Sequence, residues 1–144
     1  MLQEHKKAMV KMTIDELIDN FEFLDSWEDK YRYLIELGEK LPPLEDKWRT
    51  EEWKVKGCQS QVWLVPDFKN RIIHFTGDSD AMIVKGLIAV VLMIYNDKSP
   101  EEIKSIEVSN IFAKLGLQEH LTPSRRNGLE SMIEKIKHYA EALQ

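Results

Sequence analysis

One stretch of the sequence limits the fold more than any other: the apolar run of 15 residues from Ala81 to Tyr95, which Lys85 alone interrupts. As a helix the run would be about 22 Å long at 1.5 Å per residue, whereas the hydrocarbon core of a bilayer is roughly 30 Å thick. The run is thus too short to span a membrane, and we expect no membrane partner. Because its residues are apolar almost all round, the pattern predicts a helix from Met82 to Tyr95 that other elements cover on most sides.

The segments on both sides of this run carry start signals for the covering helices. Each signal combines a side chain that can accept a backbone hydrogen bond with a proline or an acidic residue just after it. The expected N-caps are Thr13, Ser26, Ser99 and Thr122. We expect the first helix to run to about Leu24 and the second to stop at Gly38, because glycine favours the left-handed conformation that ends helices.

Between the second helix and the core helix the apolar period changes from 3.6 residues to 2. Short runs rich in β-branched and aromatic residues predict three strands, at residues 53–55, 61–65 and 71–76. The five residues from Pro66 to Asn70 have the length of a hairpin loop. Helices, a small antiparallel sheet and further helices in this order indicate an α+β fold, with the sheet packed against the helices.

Length and charge narrow the class of protein further. The 144 residues match one domain, and no repeat or linker divides them, so we expect a single domain over residues 1–144. Lys and Arg number 20 against 25 Asp and Glu, which gives a net charge of −5 and makes nucleic acid an unexpected partner. The N-terminus lacks the apolar region of a signal peptide. We expect a cytoplasmic protein in which residues 1–12 form a loosely ordered extension.

Cys58 is the single cysteine, which excludes several kinds of site. An intrachain disulfide needs two thiols, and thiolate zinc sites and iron–sulfur clusters usually need at least two. The sequence also holds no phosphate-binding loop, no paired metal ligands and no lysine in a recognisable pyridoxal phosphate setting. We therefore expect neither a metal nor a cofactor bound by this chain.

The surroundings of Cys58 are compatible with chemistry. The residue lies between two predicted strands, with Gly57 before it and Gln59-Ser60-Gln61 after it. A thiolate is a strong nucleophile, and glycine allows backbone conformations that other residues avoid, so this setting is typical of an active site. A solitary cysteine can equally be a small buried hydrophobe. The residues alone leave both interpretations open.

A cysteine hydrolase would need a base beside the thiol, usually a histidine. The histidines are His5, His74, His120 and His138. Only His120 is expected in a loop, so a Cys-His hydrolase that depends on His120 is kept as an alternative.

Charged residues lie near the starts of two predicted helices. Arg125 and Arg126 fall in the first turn of the last helix, where the helix dipole disfavours cations. They are either solvated there at a small cost or contact a carboxylate or a partner. Asp78 and Ser79 can cap the core helix, and Lys85 can extend from it to the surface.

Four motifs around these residues resemble, in order and in spacing, the SufE family of sulfur acceptors. They are GCQSQVW from Gly57, GDSDA from Gly77, IVKGLIA from Ile83 and HLTPSR from His120. The resemblance extends from about residue 23 to residue 143. It implies a curved three-stranded antiparallel sheet against helices, similar to the IscU-type scaffold. With one cysteine, the chain is expected to accept sulfur without building clusters.

The resemblance also implies roles for particular residues. Cys58 would take persulfide sulfur from a cysteine desulfurase, stimulate that enzyme and deliver the sulfur to a SufBCD-type scaffold, while pyridoxal phosphate belongs to the desulfurase. Gly57 is a candidate for loop flexibility and Gln61 for loop support. Asp80 and Arg125 are candidates for shaping the cysteine site or docking the desulfurase.

Several alternatives stay open at this point. The desulfurase could be of the SufS type or the CsdA type, and the protein could be a monomer or a weak homodimer. It could be a sulfur-transfer protein with a covalent intermediate rather than an independent enzyme, or a noncatalytic regulator that acts by binding alone. A stored persulfide needs shielding whereas transfer needs access, so we expect the Cys58 loop to alternate between sheltered and extended positions.

Overall fold

The computed structural model describes residues 12–143, and its mixture of helices and strands confirms the predicted α+β class. The elements in chain order are α1 (Ile14–Phe23), α2 (Trp27–Glu39), two 3-10 turns (Asp46–Trp48 and Glu51–Trp53), β1 (Val62–Lys69), β2 (Ile72–Ser79), α3 (Met82–Tyr95), α4 (Pro100–Ser105), α5 (Val108–Leu115), α6 (Leu117–His120) and α7 (Pro123–Ala142). Of the predicted N-terminal extension, residues 1–11 lie outside the described residues, and Met12 packs against the core.

The helix starts follow the predicted capping chemistry. The side chains of Thr13, Ser26, Ser99 and Thr122 each accept a hydrogen bond from the backbone N–H three residues later. At α3 the prediction of Asp78 or Ser79 as the cap is wrong, because Ala81 holds the N-cap position. The Ser79 hydroxyl instead accepts the Ala81 N–H at 3.2 Å and supports the turn that leads into the helix.

Within the described residues the sheet has two strands, so the prediction of a third strand is wrong. β1 and β2 pair antiparallel from Val62 opposite Ser79 to Lys69 opposite Ile72. Trp53, which we expected in the first strand, ends a 3-10 turn. Only a bridge between Lys54 and Trp63 remains of that strand, together with the 2.8 Å hydrogen bond from Val55 N–H to the Val62 carbonyl.

The hairpin is also tighter than predicted. β1 continues through Pro66, which lies opposite Phe75, and the turn consists of Asn70 and Arg71 alone, both with positive φ (54° and 67°). Two-residue turns of this kind match the twist of paired strands. Proline is tolerated because β1 has no second neighbouring strand among the described residues.

Helix α3 is the centre of the core, as predicted. Eleven of its residues are buried, and all of them except Gly86 belong to one apolar cluster that extends from Leu17 to Ala140. Gly38 does not end α2 but lies inside it, against α3, where a Cβ on Gly38 would be 2.6 Å from the Gly86 nitrogen. This glycine serves close helix packing rather than helix termination. Within residues 12–143, every helix is too short or too polar to span a bilayer.

Candidate functional site

Cys58 lies in a six-residue loop, residues 56–61, between the Val55–Val62 hydrogen bond and the start of β1. This bond closes the base of the loop, so the chain must reverse direction within a few residues. Gly57 makes the reversal with a φ of +89°, a conformation that costs residues with a side chain roughly 1–2 kcal/mol. The placement of Gly57 before the thiol therefore has a backbone reason.

The loop folds over α7 and encloses a pocket of about 340 Å³. The pocket is lined by Cys58, Gln59, Ser60, Val84, Leu87, Thr122, Ser124, Arg125, Gly128 and Met132. The thiol is half-buried and its Sγ lies 3.7 Å from the Gly128 carbonyl oxygen, a long and weak contact. A Cβ on Gly128 would lie 3.5 Å from Sγ, an ordinary van der Waals contact, so α7 passes directly beside the sulfur.

The environment of the sulfur favours its protonated form. Burial raises the pKa of the Cys58 thiol above the ordinary value of 9.0, because a thiolate loses hydration there. The thiolate, not the thiol, is the nucleophile in exchange reactions. The half-buried position therefore favours the thiol over the thiolate.

The structure brings two of the predicted residues together at the end of the loop. The Gln61 N–H donates to Asp80 Oδ1 at 3.0 Å, and the Asp80 N–H donates to the Gln61 carbonyl at 3.3 Å. Both residues are exposed, and neither lines the pocket. They hold the point at which the loop joins β1 rather than contacting the sulfur.

Arg125 lines the pocket itself. Its N–H donates to the Thr122 hydroxyl, and its guanidinium lies 6.0 Å from the centre of the Tyr31 ring, over the ring face. Among the residues that the structure describes, no carboxylate lies within 4.0 Å of this guanidinium. Since the pocket lining includes no acidic residue either, the site presents a positive charge to whatever approaches the thiol.

Other contacts of the loop could not be assigned from the sequence. The Ser124 hydroxyl donates to Gln59 Oε1 at 3.0 Å and joins the loop to α7, and Val84, Leu87 and Met132 form the apolar part of the pocket. Gln59 and Ser124 both lie within the quoted motifs, but they are 65 positions apart. Their place in the motifs could have marked both residues as candidates for the site, but it does not show that their side chains are in contact.

His120, the histidine that the hydrolase interpretation requires, does not line the pocket of the thiol. His120 stacks on Trp27, with ring centres 4.5 Å apart, and no histidine lines the pocket in the described part of the chain. Residues 12–143 therefore do not assemble the Cys-His pair of a hydrolase at Cys58.

A charged cluster lies at the end of β2, where the sequence predicted only a cap for the core helix. The buried carboxylate of Asp78 contacts the Arg49 guanidinium at 2.6 Å and the Lys85 ammonium at 3.6 Å. Lys85 is therefore not simply directed to solvent. Residues 12–143 contain no group of three or more histidine, cysteine, aspartate and glutamate side chains placed to hold a metal ion.

Comparison with known proteins places the chain in a family. The family model "SufE: Fe-S metabolism associated domain" matches residues 15–140. An uncharacterized SufE-like protein of Rhizobium meliloti (strain 1021) is 52% identical over 133 residues, covering 90% of this chain and 95% of the relative. Another, from Rhizobium etli, is 51% identical over 133 residues and covers 90% of each chain.

A solved structure supports the fold independently. The solution structure of a hypothetical protein from Thermus thermophilus is similar to this chain with a TM-score of 0.72, over 91% of this chain and 97% of that one. At 21% identity the likeness concerns the fold alone. Taken with the match over residues 15–140, these comparisons show that the chain belongs to the SufE family, which acts in Fe–S metabolism and sulfur transfer with cysteine desulfurases as partners.

Proposed function

We propose that Cys58 accepts a sulfur atom from the persulfide of a cysteine desulfurase, stimulates the enzyme by clearing its sulfur, and delivers the sulfur to a SufBCD-type scaffold. The observation that carries the proposal is the position of the thiol, half-buried in a pocket whose lining holds no base. Hydrolysis would need such a base, whereas thiol–persulfide exchange takes place with a reactive group that the partner supplies.

The proposed transfer needs no oxidant or reductant. The Cys58 thiolate attacks the outer sulfur of the desulfurase persulfide, an S–S bond forms at Cys58, and the bond from that sulfur to the desulfurase cysteine breaks. The desulfurase cysteine leaves as a thiolate and takes up the proton that Cys58 gave away. Because electrons balance within the exchange, this chain needs no cofactor for the step, and pyridoxal phosphate belongs to the desulfurase.

The geometry suits storage as well as transfer. A persulfide in the resting position of Cys58 would lie in the pocket between the loop and α7, partly shielded from solvent. Shelter of this kind protects it from reductants and from further oxidation. Because burial raises the pKa of the Cys58 thiol, a loop that moves into a more exposed position on the desulfurase would favour the attacking thiolate.

The test is the intact mass of the protein after incubation with a cysteine desulfurase and cysteine. We expect a gain of about 32 Da, one sulfur atom, that dithiothreitol removes. Cys58→Ser should show no gain. A double variant, Cys58→Ser with Ser105→Cys, moves the thiol to an exposed position at the end of α4. It should also show no mass gain, because the thiol then lies outside the pocket. A gain in either variant would contradict the assignment to Cys58.

The same variants separate transfer from regulation by binding alone. If Cys58→Ser still stimulates cysteine turnover by the desulfurase as the unmodified protein does, the protein is a regulator and not an acceptor. Parallel reactions with SufS-type and CsdA-type desulfurases identify the partner, because the matching enzyme should load Cys58 at a lower protein concentration.

A further inference from the structure

The chain that leads into the Cys58 loop is a strap of residues 44–55, which contains both 3-10 turns. Its end residues, Leu44 and Val55, are buried, and residues 45–54 between them are half-buried or exposed. Val55 then begins the turn into the loop through its hydrogen bond to Val62. The middle of the strap therefore has little apolar attachment to the rest of the molecule.

Arg49 supplies an attachment in this weakly held stretch. Its Nη2 lies 2.6 Å from Asp78 Oδ2, its Nε donates to the Leu44 carbonyl at 3.3 Å, and its guanidinium lies 5.8 Å from the centre of the Trp63 ring. The Asp78 side chain is 9% exposed and that of Arg49 38%. An ion pair with one partner this deeply buried is screened less by solvent than a surface pair.

Asp78 has a second set of partners. Its Oδ1 accepts the Ser79 N–H at 2.8 Å and lies 3.6 Å from the Lys85 ammonium on α3. The carboxylate would therefore keep a cation and a hydrogen bond if Arg49 were replaced, and it would keep Arg49 if Lys85 were replaced. The cluster thus separates two functions: Lys85 connects β2 to α3, and Arg49 connects β2 to the strap.

We propose that Arg49 and Asp78 form a positioning pair that anchors the entrance of the Cys58 loop, and this rests on the proposed function of Cys58 as the sulfur acceptor. With the strap fixed, motion is confined to the few residues after Val55, where Gly57 is the point of rotation. Cys58 then returns to the same sheltered place beside the Gly128 carbonyl after each transfer. Without the anchor the whole strap can move, and the thiol leaves its shelter unprompted.

The test is the rate at which iodoacetamide alkylates Cys58 in the folded protein without desulfurase. Arg49→Gln should alkylate about tenfold faster than the unmodified protein, since a hydrogen bond to a charged group contributes enough to shift an opening equilibrium by that factor. Arg49→Lys, which restores the charge but not the fork of donors, should fall between the two. Low concentrations of urea should not change this increase in alkylation rate, because a local opening exposes little additional surface.

Lys85→Met is the matched control. It removes the other cation of Asp78 and leaves the strap attached, so it should lower global stability without accelerating alkylation in the absence of urea. Urea unfolding of each variant measures its global free energy of unfolding separately. The positioning role is refuted if Arg49→Gln alkylates at the unmodified rate, or if the two variants accelerate alkylation equally at equal stability.

A second readout connects the anchor to transfer. Once loaded by the desulfurase, Arg49→Gln should lose its persulfide to dithiothreitol about tenfold faster than the unmodified protein, on the same hydrogen-bond estimate. The alkylation assay does not depend on loading. If Arg49→Gln exposes the thiol but no form of the protein gains about 32 Da, the proposed function fails and the positioning role stands.

Discussion

The contact between α2 and α3 and the loop around Cys58 are held by different kinds of interaction. At the helix contact the two backbones touch, because Gly38 and Gly86 leave no side chain between them. The loop is joined to α7 by two polar contacts, the 3.7 Å approach of Cys58 Sγ to the Gly128 carbonyl and the 3.0 Å bond between Ser124 and Gln59. The α2–α3 contact has no free space, whereas the contacts of the Cys58 loop can be replaced by contacts with water.

This difference shows how the molecule can combine a rigid frame with a movable thiol. Close-packed atoms cannot shift without losing many contacts together, whereas a polar contact at the surface is exchanged for a contact with water at little net cost. The loop can therefore open while the helices stay in place. Changes in the helix contact should alter stability, and changes in the loop should alter access to the sulfur.

The largest effect is expected from Gly86→Ala. The added Cβ would overlap the carbonyl oxygen of Leu34, which is backbone and cannot turn away, so we expect a loss of about 3 kcal/mol or more in the free energy of unfolding. Urea denaturation measures it.

Gly128→Ala is the control for Gly86→Ala, because it makes the same change inside a helix at a place with ordinary contact distances. It should be neutral or stabilising by up to about 1 kcal/mol, through helix propensity. Equal destabilisation by the two variants would contradict the contrast between the regions.

An intermediate effect is expected from Gly57→Ala. Alanine at φ +89° costs about 1–2 kcal/mol, and its Cβ would lie 2.7 Å from the Ser131 hydroxyl oxygen. The loop should relieve this strain by opening, which raises the alkylation rate of Cys58 several-fold.

Gly116→Ala controls for the backbone strain of Gly57→Ala. Its φ is +70° and the nearest atom to its Cβ is 3.7 Å away, on His120. It should lower stability by a similar amount and leave the alkylation rate unchanged. If alkylation rises in both variants alike, general destabilisation and not loop opening is responsible.

The smallest effect is the pH dependence that Cys58 gives to stability. Its pKa in the folded protein is raised above 9.0, so the folded state binds the thiol proton more tightly than the unfolded chain does. The contribution is fully present below pH 9.0 and is lost as the pH rises through the folded pKa. Cys58→Ser should lack this decline.

The effect of Cys58 is best measured below pH 10.0. Above pH 10.0 the buried Tyr95, whose pKa is raised to about 12, also lowers the stability of the folded state. If the free energy of unfolding has the same pH dependence in both proteins from about pH 8 to pH 10, burial of the thiol does not affect its ionisation.

Much of the fold followed from local patterns in the sequence. The capping residues and the apolar run predicted the helix starts and the central helix, because these signals act within a few residues of one another. One error came where a distant element decided the outcome: Gly38 matched a helix stop, but the approach of α3 made it a packing residue. The error at Trp53 was local, because its N–H bonds to the Thr50 carbonyl and closes a 3-10 turn instead of joining a third strand.

The sequence by itself determined that one thiol lies in a glycine-containing loop between short extended segments, and its motifs indicated the SufE family. Only the tertiary structure decided that the Gly128 carbonyl and the Ser124–Gln59 bond lie beside that thiol, and that Arg49 pairs with Asp78 outside its pocket. Each of these contacts joins segments far apart in the chain. Their existence depends on how whole elements pack, which short-range sequence patterns do not specify.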